Sequence, residues 1–253
     1  MIKEANLFVD GWKIVGQLYL PDFGQAPYPG VILCHGIPSG SVDPTDGGYP
    51  LLASTISKAG FAVYTFRFRG SGESQGNFDI LGWLHDLESA IDYMYLSASV
   101  NKRKIALVGF SAGAAVAICT AARDKKVSAV VACASPADFN SISEAEKPQM
   151  SVTYFRKRGI IRDESFPASL EKWTDNFRQV NALKCVAEIA PRPLLLLQSE
   201  SDKVVPVENA RKLFAQAKEP KQLRIFPGDE HRLRKHDEAV KTIITWLKTQ
   251  FKV

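Results

Sequence analysis

Cysteine and histidine are scarce in this chain of 253 residues, at four each. Cys34, Cys119, Cys133 and Cys185 stand far apart, without the short paired spacings that hold zinc. A dense disulfide framework is excluded as well. Three of them fall in apolar patterns, so buried free thiols are the expectation, and neither a metal nor an organic cofactor is called for. Long apolar runs are also missing, and nothing reaches the length of a bilayer-crossing helix. The opening Met1-Ile2-Lys3-Glu4-Ala5-Asn6 has neither the apolar core nor the cleavage site of a signal peptide, so the expected setting is soluble and cytoplasmic. Charge of one sign is not concentrated. Lys and Arg total 32 against 27 Asp and Glu, for a net charge of +5. The one local cluster, Arg232, Arg234 and Lys235, is too short for the basic stripe that binds nucleic acid. No nucleic-acid or membrane partner is expected. There is no repeat and no low-complexity tract, and the pattern leaves the oligomeric state open.

What the chain does have is apolar material, 45% of its residues, enough for a large core. Two alternating stretches, Leu7 to Val9 and Trp12 to Leu20, flank Asp10-Gly11, a short hairpin signal. From Val31 onward, short apolar runs alternate with helical periodicity. Val31 to Cys34, Phe61 to Phe66, Ile105 to Val108, Ser128 to Cys133, Leu194 to Leu197 and Leu223 to Phe226 read as strands. Tyr49 to Ala59, Ile80 to Leu96, Ala114 to Ala122, Val207 to Ala217 and Glu238 to Phe251 read as helices. This order predicts an α/β fold with a doubly wound, mostly parallel eight-stranded sheet and an N-terminal antiparallel hairpin at one edge. Residues 138–187 break the alternation and read as a small helical cap inserted into a single domain spanning 1–253. The aromatics there, Tyr154, Phe155, Phe166, Trp173 and Phe177, suggest a pocket for an apolar or aromatic group.

The most specific local signal is Gly109-Phe110-Ser111-Ala112-Gly113, between a buried strand and a small-residue helix. Such a strand–turn–helix corner lifts a serine hydroxyl out of a tight turn, and the glycines let the backbones pass. A serine hydroxyl is a weak nucleophile and needs a base, which itself needs an orienting group. Of the four histidines, His231 lies in a loop directly past the last strand, and His236, near the start of the final helix, is the runner-up. His85 falls within a helix beside Asp86 and reads as a surface or packing residue. His35 comes early in the chain order. For the acid, Asp202 follows the Leu194 strand, with Glu200 and Asp138 as competitors. An oxyanion would find the backbone N–H of Ala112 and, past the first parallel strand, that of Ile37 in His35-Gly36-Ile37-Pro38. Pro38 has no N–H to offer.

These residues, together with Phe66-Arg67-Phe68-Arg69-Gly70-Ser71-Gly72-Glu73-Ser74 and Asp202-Lys203-Val204-Val205-Pro206, resemble a serine hydrolase of the α/β-hydrolase fold. The compact size, the early hairpin and the central insertion are most similar to small acyl esterases of the cinnamoyl and feruloyl type. The catalytic domains of prolyl-oligopeptidase-like peptidases are similar too. The resemblance implies Ser111 as nucleophile, His231 as general base, Asp202 as orienting acid, and Ile37 and Ala112 as oxyanion donors. It implies a small-molecule ester as substrate. A peptidase or amidase on short substrates is the alternative, haloperoxidase-like activity would use the same residues, and a non-enzymatic binding module is the remaining reading.

Overall fold

The N-terminal segment folds as β1 (Ile2–Glu4), β2 (Leu7–Val9), β3 (Trp12–Ile14) and β4 (Gly16–Tyr19) in a computed structural model that describes residues 1–38 and 47–253. Asp10 and Gly11 both sit at positive φ, 50° and 82°, which is what a two-residue hairpin turn requires. The hairpin differs from its expected place in two ways. β2 and β3 form a two-stranded sheet of their own, and the antiparallel edge of the main sheet is built by β1 and β4 instead. The apolar alternation from Trp12 to Leu20 is broken at Val15. Its N–H donates to the Ser74 hydroxyl at 2.9 Å and its carbonyl accepts from Arg67 N at 2.9 Å, so the backbone leaves the hairpin ladder there. Gly16 then lets β4 lie against Tyr64, where a Cβ would come within 2.6 Å of the ring.

The main sheet continues with β5 (Tyr28–Cys34), β6 (Ala62–Phe66), β7 (Val100–Phe110), β8 (Ala129–Cys133), β9 (Leu194–Ser199) and β10 (Lys221–Phe226). The order is β1-β4-β6-β5-β7-β8-β9-β10, eight strands, with β5 to β10 parallel. Alternate residues of each central strand face opposite layers. Ile32, Leu107, Val130 and Leu196 pack under α2 (Ile80–Leu96) and α3 (Ala112–Arg123). Val31, Leu33, Val108, Val131, Leu195 and Leu197 pack under α1 (Gly48–Ser57) and α9 (Asp237–Phe251), which closes the chain. Burial on both faces explains why these strands read as unbroken apolar runs. Each buried Leu or Val contributes about 2 kcal/mol.

Chain order reverses at β5, whose neighbours are β6 on one side and β7 on the other. A crevice at the carboxyl ends of two strands is expected at such a crossover. The crossover falls between the loop after Cys34 and the turn after Phe110, and the register pairs Cys34 with Gly109.

Between β8 and β9 the chain forms α4 (Asn140–Ser143), α5 (Pro148–Lys157), α6 (Leu170–Gln179) and α7 (Ala182–Cys185), followed by α8 (Glu208–Gln216) after β9. Two arginines tie this insertion to the rim. Arg162 donates to the carbonyls of Gly70, Gly72 and Ser74, and Arg158 donates to that of Pro38 at 3.0 Å. The aromatics expected to line a pocket are mostly otherwise engaged. Phe155, Trp173 and Phe177 are buried against Phe78, and the Trp173 indole donates to the Phe78 carbonyl at 3.1 Å. Rings at helical spacing have sealed the insertion onto the body rather than faced a ligand, leaving Tyr154 exposed and Phe166 partly buried.

Arg69 and Asp86 form an ion pair under the loop that follows β6. Asp86 is fully buried and takes three donors from Arg69: the backbone N–H at 2.8 Å, Nε at 3.0 Å and Nη2 at 2.7 Å. Nη2 also reaches the half-exposed Asp10, which bonds the exposed His85. Removing one partner of a buried pair strands the other. Asp86→Ala is therefore expected to cost about 3–5 kcal/mol in urea unfolding, and Asp10→Ala under about 1 kcal/mol. Equal losses would contradict this division.

Candidate active site

β7 ends in a corner that only small residues permit. A Cβ on Gly109 would lie 2.5 Å from Cα of Ala114, and one on Gly113 would lie 2.6 Å from the carbonyl oxygen of Cys34 and closer still to that of His35. Ser111, at the apex, has φ 53° and ψ −128°, a costly conformation for a residue with a side chain. Its N–H donates to the Cys133 carbonyl at 2.8 Å, and its carbonyl accepts from Ala114 N at 2.9 Å. The strain is held by the strand on one side and the first turn of α3 on the other. The residue is half-buried, so its hydroxyl is neither sealed in nor freely solvated.

β9 and β10 end level with each other, Ser199 opposite Phe226. Past them the two loops are stitched together by Glu200 N to Phe226 O at 2.8 Å and Ser201 N to Gly228 O at 2.9 Å. This brings Asp202 and His231 to Ser111. His231 Nδ1 is 2.7 Å from Asp202 Oδ2, and Nε2 is 3.1 Å from Ser111 Oγ. With Nδ1–H committed to the carboxylate, the Nε2 lone pair of the neutral ring is left facing the serine hydroxyl. An alcohol beside that nitrogen is set up to lose its proton as it attacks an electrophile.

The Asp202 carboxylate is buried and saturated with donors. Burial acts to raise its pKa. The hydrogen bond from His231 and those from the backbone N–H groups of Val205 and Val204 outweigh it and hold the carboxyl below its ordinary value. Gln198 adds a further donor at 3.0 Å. The competing candidates are elsewhere occupied. Asp138 accepts from Asn140 N, and His236 caps α9 through Ala239 N while its ring packs on Phe226. Glu200 is exposed.

Opposite Ser111 lies the loop from His35 to Pro38. A Cβ on Gly36 would sit 2.8 Å from the Ser111 Cβ, so glycine is what allows this approach. Among the described residues, no backbone group accepts from the N–H of Ile37 or of Ala112. His35, which chain order passes over as a base, has a different role in the fold. Its ring is buried, accepts from Phe68 N at Nε2 (2.9 Å) and donates from Nδ1 to the Gly36 carbonyl (2.7 Å). It thereby couples the loop after β5 to the loop after β6. The buried Cys34 beside it is no nucleophile, since burial pushes its thiol pKa up. Among the described residues, no group of three or more His, Cys, Asp or Glu could hold a metal ion, and no helix is long and apolar enough to cross a membrane.

The chain matches the BD-FAE family model over residues 17–217. It belongs to the BD-FAE family. Residues 17–217 take in Ser111, Asp202 and the loop at Ile37, and end before His231. Among sequence relatives of this BD-FAE chain, the Escherichia coli protein YfhR, described as uncharacterized, is 28% identical over 224 residues, 88% of this chain and 70% of YfhR. The polyketide transferase grgF of a Penicillium species is 27% identical over 74% of this chain and 77% of its own. The solved α/β hydrolase GrgF superimposes with a TM-score of 0.79 at 23% identity, covering 100% of both chains. Est1E from Butyrivibrio proteoclasticus gives a TM-score of 0.75 at 17% identity, covering 99% of both. The BD-FAE chain thus has the α/β-hydrolase fold, and esterases are among its structural neighbours.

Burial pushes the His35 pKa down to about 4, against the Gly36 carbonyl, which acts to raise it. An unfolded histidine titrates near 6.5, so between these values the unfolded chain binds the extra proton. The contribution is fully present above about pH 6.5 and is lost as pH falls toward 4, at about 1.4 kcal/mol per pH unit. In urea unfolding across that window, His35→Gln should show a slope shallower by about one proton. Parallel slopes would contradict the assignment.

Proposed function

We propose that this protein hydrolyses carboxylic esters through an acyl-enzyme on Ser111. The observation that supports this most is the His231 ring held between Ser111 Oγ at 3.1 Å and Asp202 Oδ2 at 2.7 Å. In this reading His231 takes the proton of Ser111 as Oγ attacks the acyl carbonyl. The tetrahedral oxyanion draws on the N–H groups of Ala112 and Ile37, two donors that no backbone group among the described residues accepts from. The ester C–O bond breaks, and His231 returns its proton to the departing alkoxide. Water then attacks the acyl-enzyme, again giving its proton to His231, and the acid leaves with Ser111 restored. Asp202 keeps the ring in the required tautomer and stabilises the imidazolium. The small-molecule substrate would enter across the rim formed by the loops after β5, β7, β9 and β10.

An acyl-enzyme passes its acyl group to whichever nucleophile reaches it. The similarity to a protein named polyketide transferase supports a second outcome, transfer to a nucleophile other than water. Peptide or amide cleavage would use the same steps with an amine leaving group, and a puromycin hydrolase is among the structural neighbours. The ester reading ranks first because alkoxides leave more readily than amines and the esterase neighbours share the fold.

Ser111→Ala is expected to abolish p-nitrophenyl acetate hydrolysis while leaving the far-ultraviolet spectrum and melting unchanged. Folded Ser111→Ala with near wild-type turnover would end this reading. On a matched ester and amide of one acyl group, the ester is expected to be cleaved at least tenfold faster, about 1.4 kcal/mol in barrier. A preference for the amide would move the assignment to the peptidase class.

A further inference from the structure

Consecutive residues at the end of β9 fasten both of the loops that meet Ser111. The Gln198 side chain is fully buried, and its amide nitrogen donates to Asp202 Oδ2 at 3.0 Å and to the Val205 carbonyl at 2.9 Å. Both partners are acceptors, so the NH2 must face them; the flipped amide would turn oxygen toward a carboxylate. The price is Oε1, buried without a partner. An apolar side chain of the same shape would avoid that unfavourable orphan, so packing alone gives no reason for glutamine here. The next residue, Ser199, points to the other face of the strand and donates to the Glu230 carbonyl at 2.7 Å, one residue before His231.

We propose that Gln198 is a positioning residue that sets the proton affinity of the His231–Asp202 pair, with Ser199 holding the two loops in register. This rests on the hydrolase reading above. Asp202 Oδ2 is shared between His231 Nδ1 and the Gln198 amide, while Oδ1 takes Val204 N and Val205 N. The carboxylate cannot rotate without losing donors from both sides. The amide also withdraws part of the negative charge that faces the ring. Without it, more charge faces His231, the imidazolium is favoured, and the base stays protonated to higher pH. The other charged groups of the two loops are Glu200, Lys203, Asp229, Glu230 and Arg232, and Ser111 faces the ring from the third. Among the leading influences on the Asp202 carboxyl, the one charged group is His231.

The rate at which a fluorophosphonate labels Ser111, followed against pH, reads the base without requiring the natural substrate. Gln198→Met keeps the volume and removes the donor. It is expected to label about tenfold more slowly, with its acid limb raised by about half to one pH unit. In Gln198→Glu the new carboxyl, buried beside Asp202, stays protonated at neutral pH, and its single O–H donates to Asp202 Oδ2 while the bond to the Val205 carbonyl is lost. It is expected to keep the wild-type acid limb and to lose rate as that carboxyl ionises at alkaline pH. Folded Gln198→Met with an unmoved limb overturns the proposal. If Gln198→Met does not fold, Gln198→Glu decides, and the absence of its alkaline loss overturns it. A wild-type protein that never labels overturns the hydrolase reading and this inference with it, whereas a labelled wild type with an acid limb isolates the test to Gln198.

Discussion

The close approach of β5 and β7 at their carboxyl ends is the constraint on which the rest depends. These strands meet where the chain order reverses, and the backbone at His35 and Gly36 runs against the turn at Ser111. Three glycines, Gly36, Gly109 and Gly113, supply the space. Without that contact Ser111 would lose the neighbours that hold it at φ 53°. Everything else in the site is added to this pair of strands from the far side of the sheet. The loops after β9 and β10 bring a carboxylate and an imidazole, and backbone hydrogen bonds join them before either reaches the serine.

The polar groups around this contact work as a chain of constraints rather than as isolated bonds. His35 ties the β5 loop to the β6 loop, and Arg69 with Asp86 ties the β6 loop to α2. Arg158 and Arg162 tie the inserted helices to the same two loops. On the opposite rim, Gln198 and Ser199 fasten the acid and histidine loops. Buried polar groups are costly unless paired, so each link is strong only while both partners are present. A site built this way is positioned by strand ends and their immediate neighbours, and the aromatic packing beneath the insertion serves adhesion.

Much of this was legible in the sequence. The apolar runs marked the strands because both faces of the sheet are covered, and the 3.6-residue spacing marked α2 over Ile80–Leu96 without error. The Gly109–Gly113 pattern identified the corner because strand, turn and helix are consecutive in the chain and Gly109 packs on Gly113 and Ala114. Other features were hidden because they depend on partners distant in the chain. The break at Val15 arises from bonds to Ser74 and Arg67, nearly sixty and just over fifty residues away. Nothing in the sequence around Asp86 points to Arg69, seventeen residues earlier, as its partner. The insertion's rings looked like a ligand pocket, and periodicity alone does not say which apolar face meets protein and which meets solvent. Gln198 did leave a trace: it is a polar residue ending a run of four leucines in a strand buried on both faces, a position that calls for a specific acceptor.

Family membership and fold place this protein among α/β hydrolases. The chemistry proposed for it requires that one atom, the Ser111 Oγ, becomes covalently bonded to substrate. Acid-quenched intact-protein mass spectrometry during turnover of a slow p-nitrophenyl ester, followed by peptide mapping, observes that bond. The account predicts a single added acyl mass on the peptide that contains Ser111. Nitrophenol release with no adduct, under quench conditions that preserve a synthetic acyl-serine standard, or an adduct on any other residue, would contradict it.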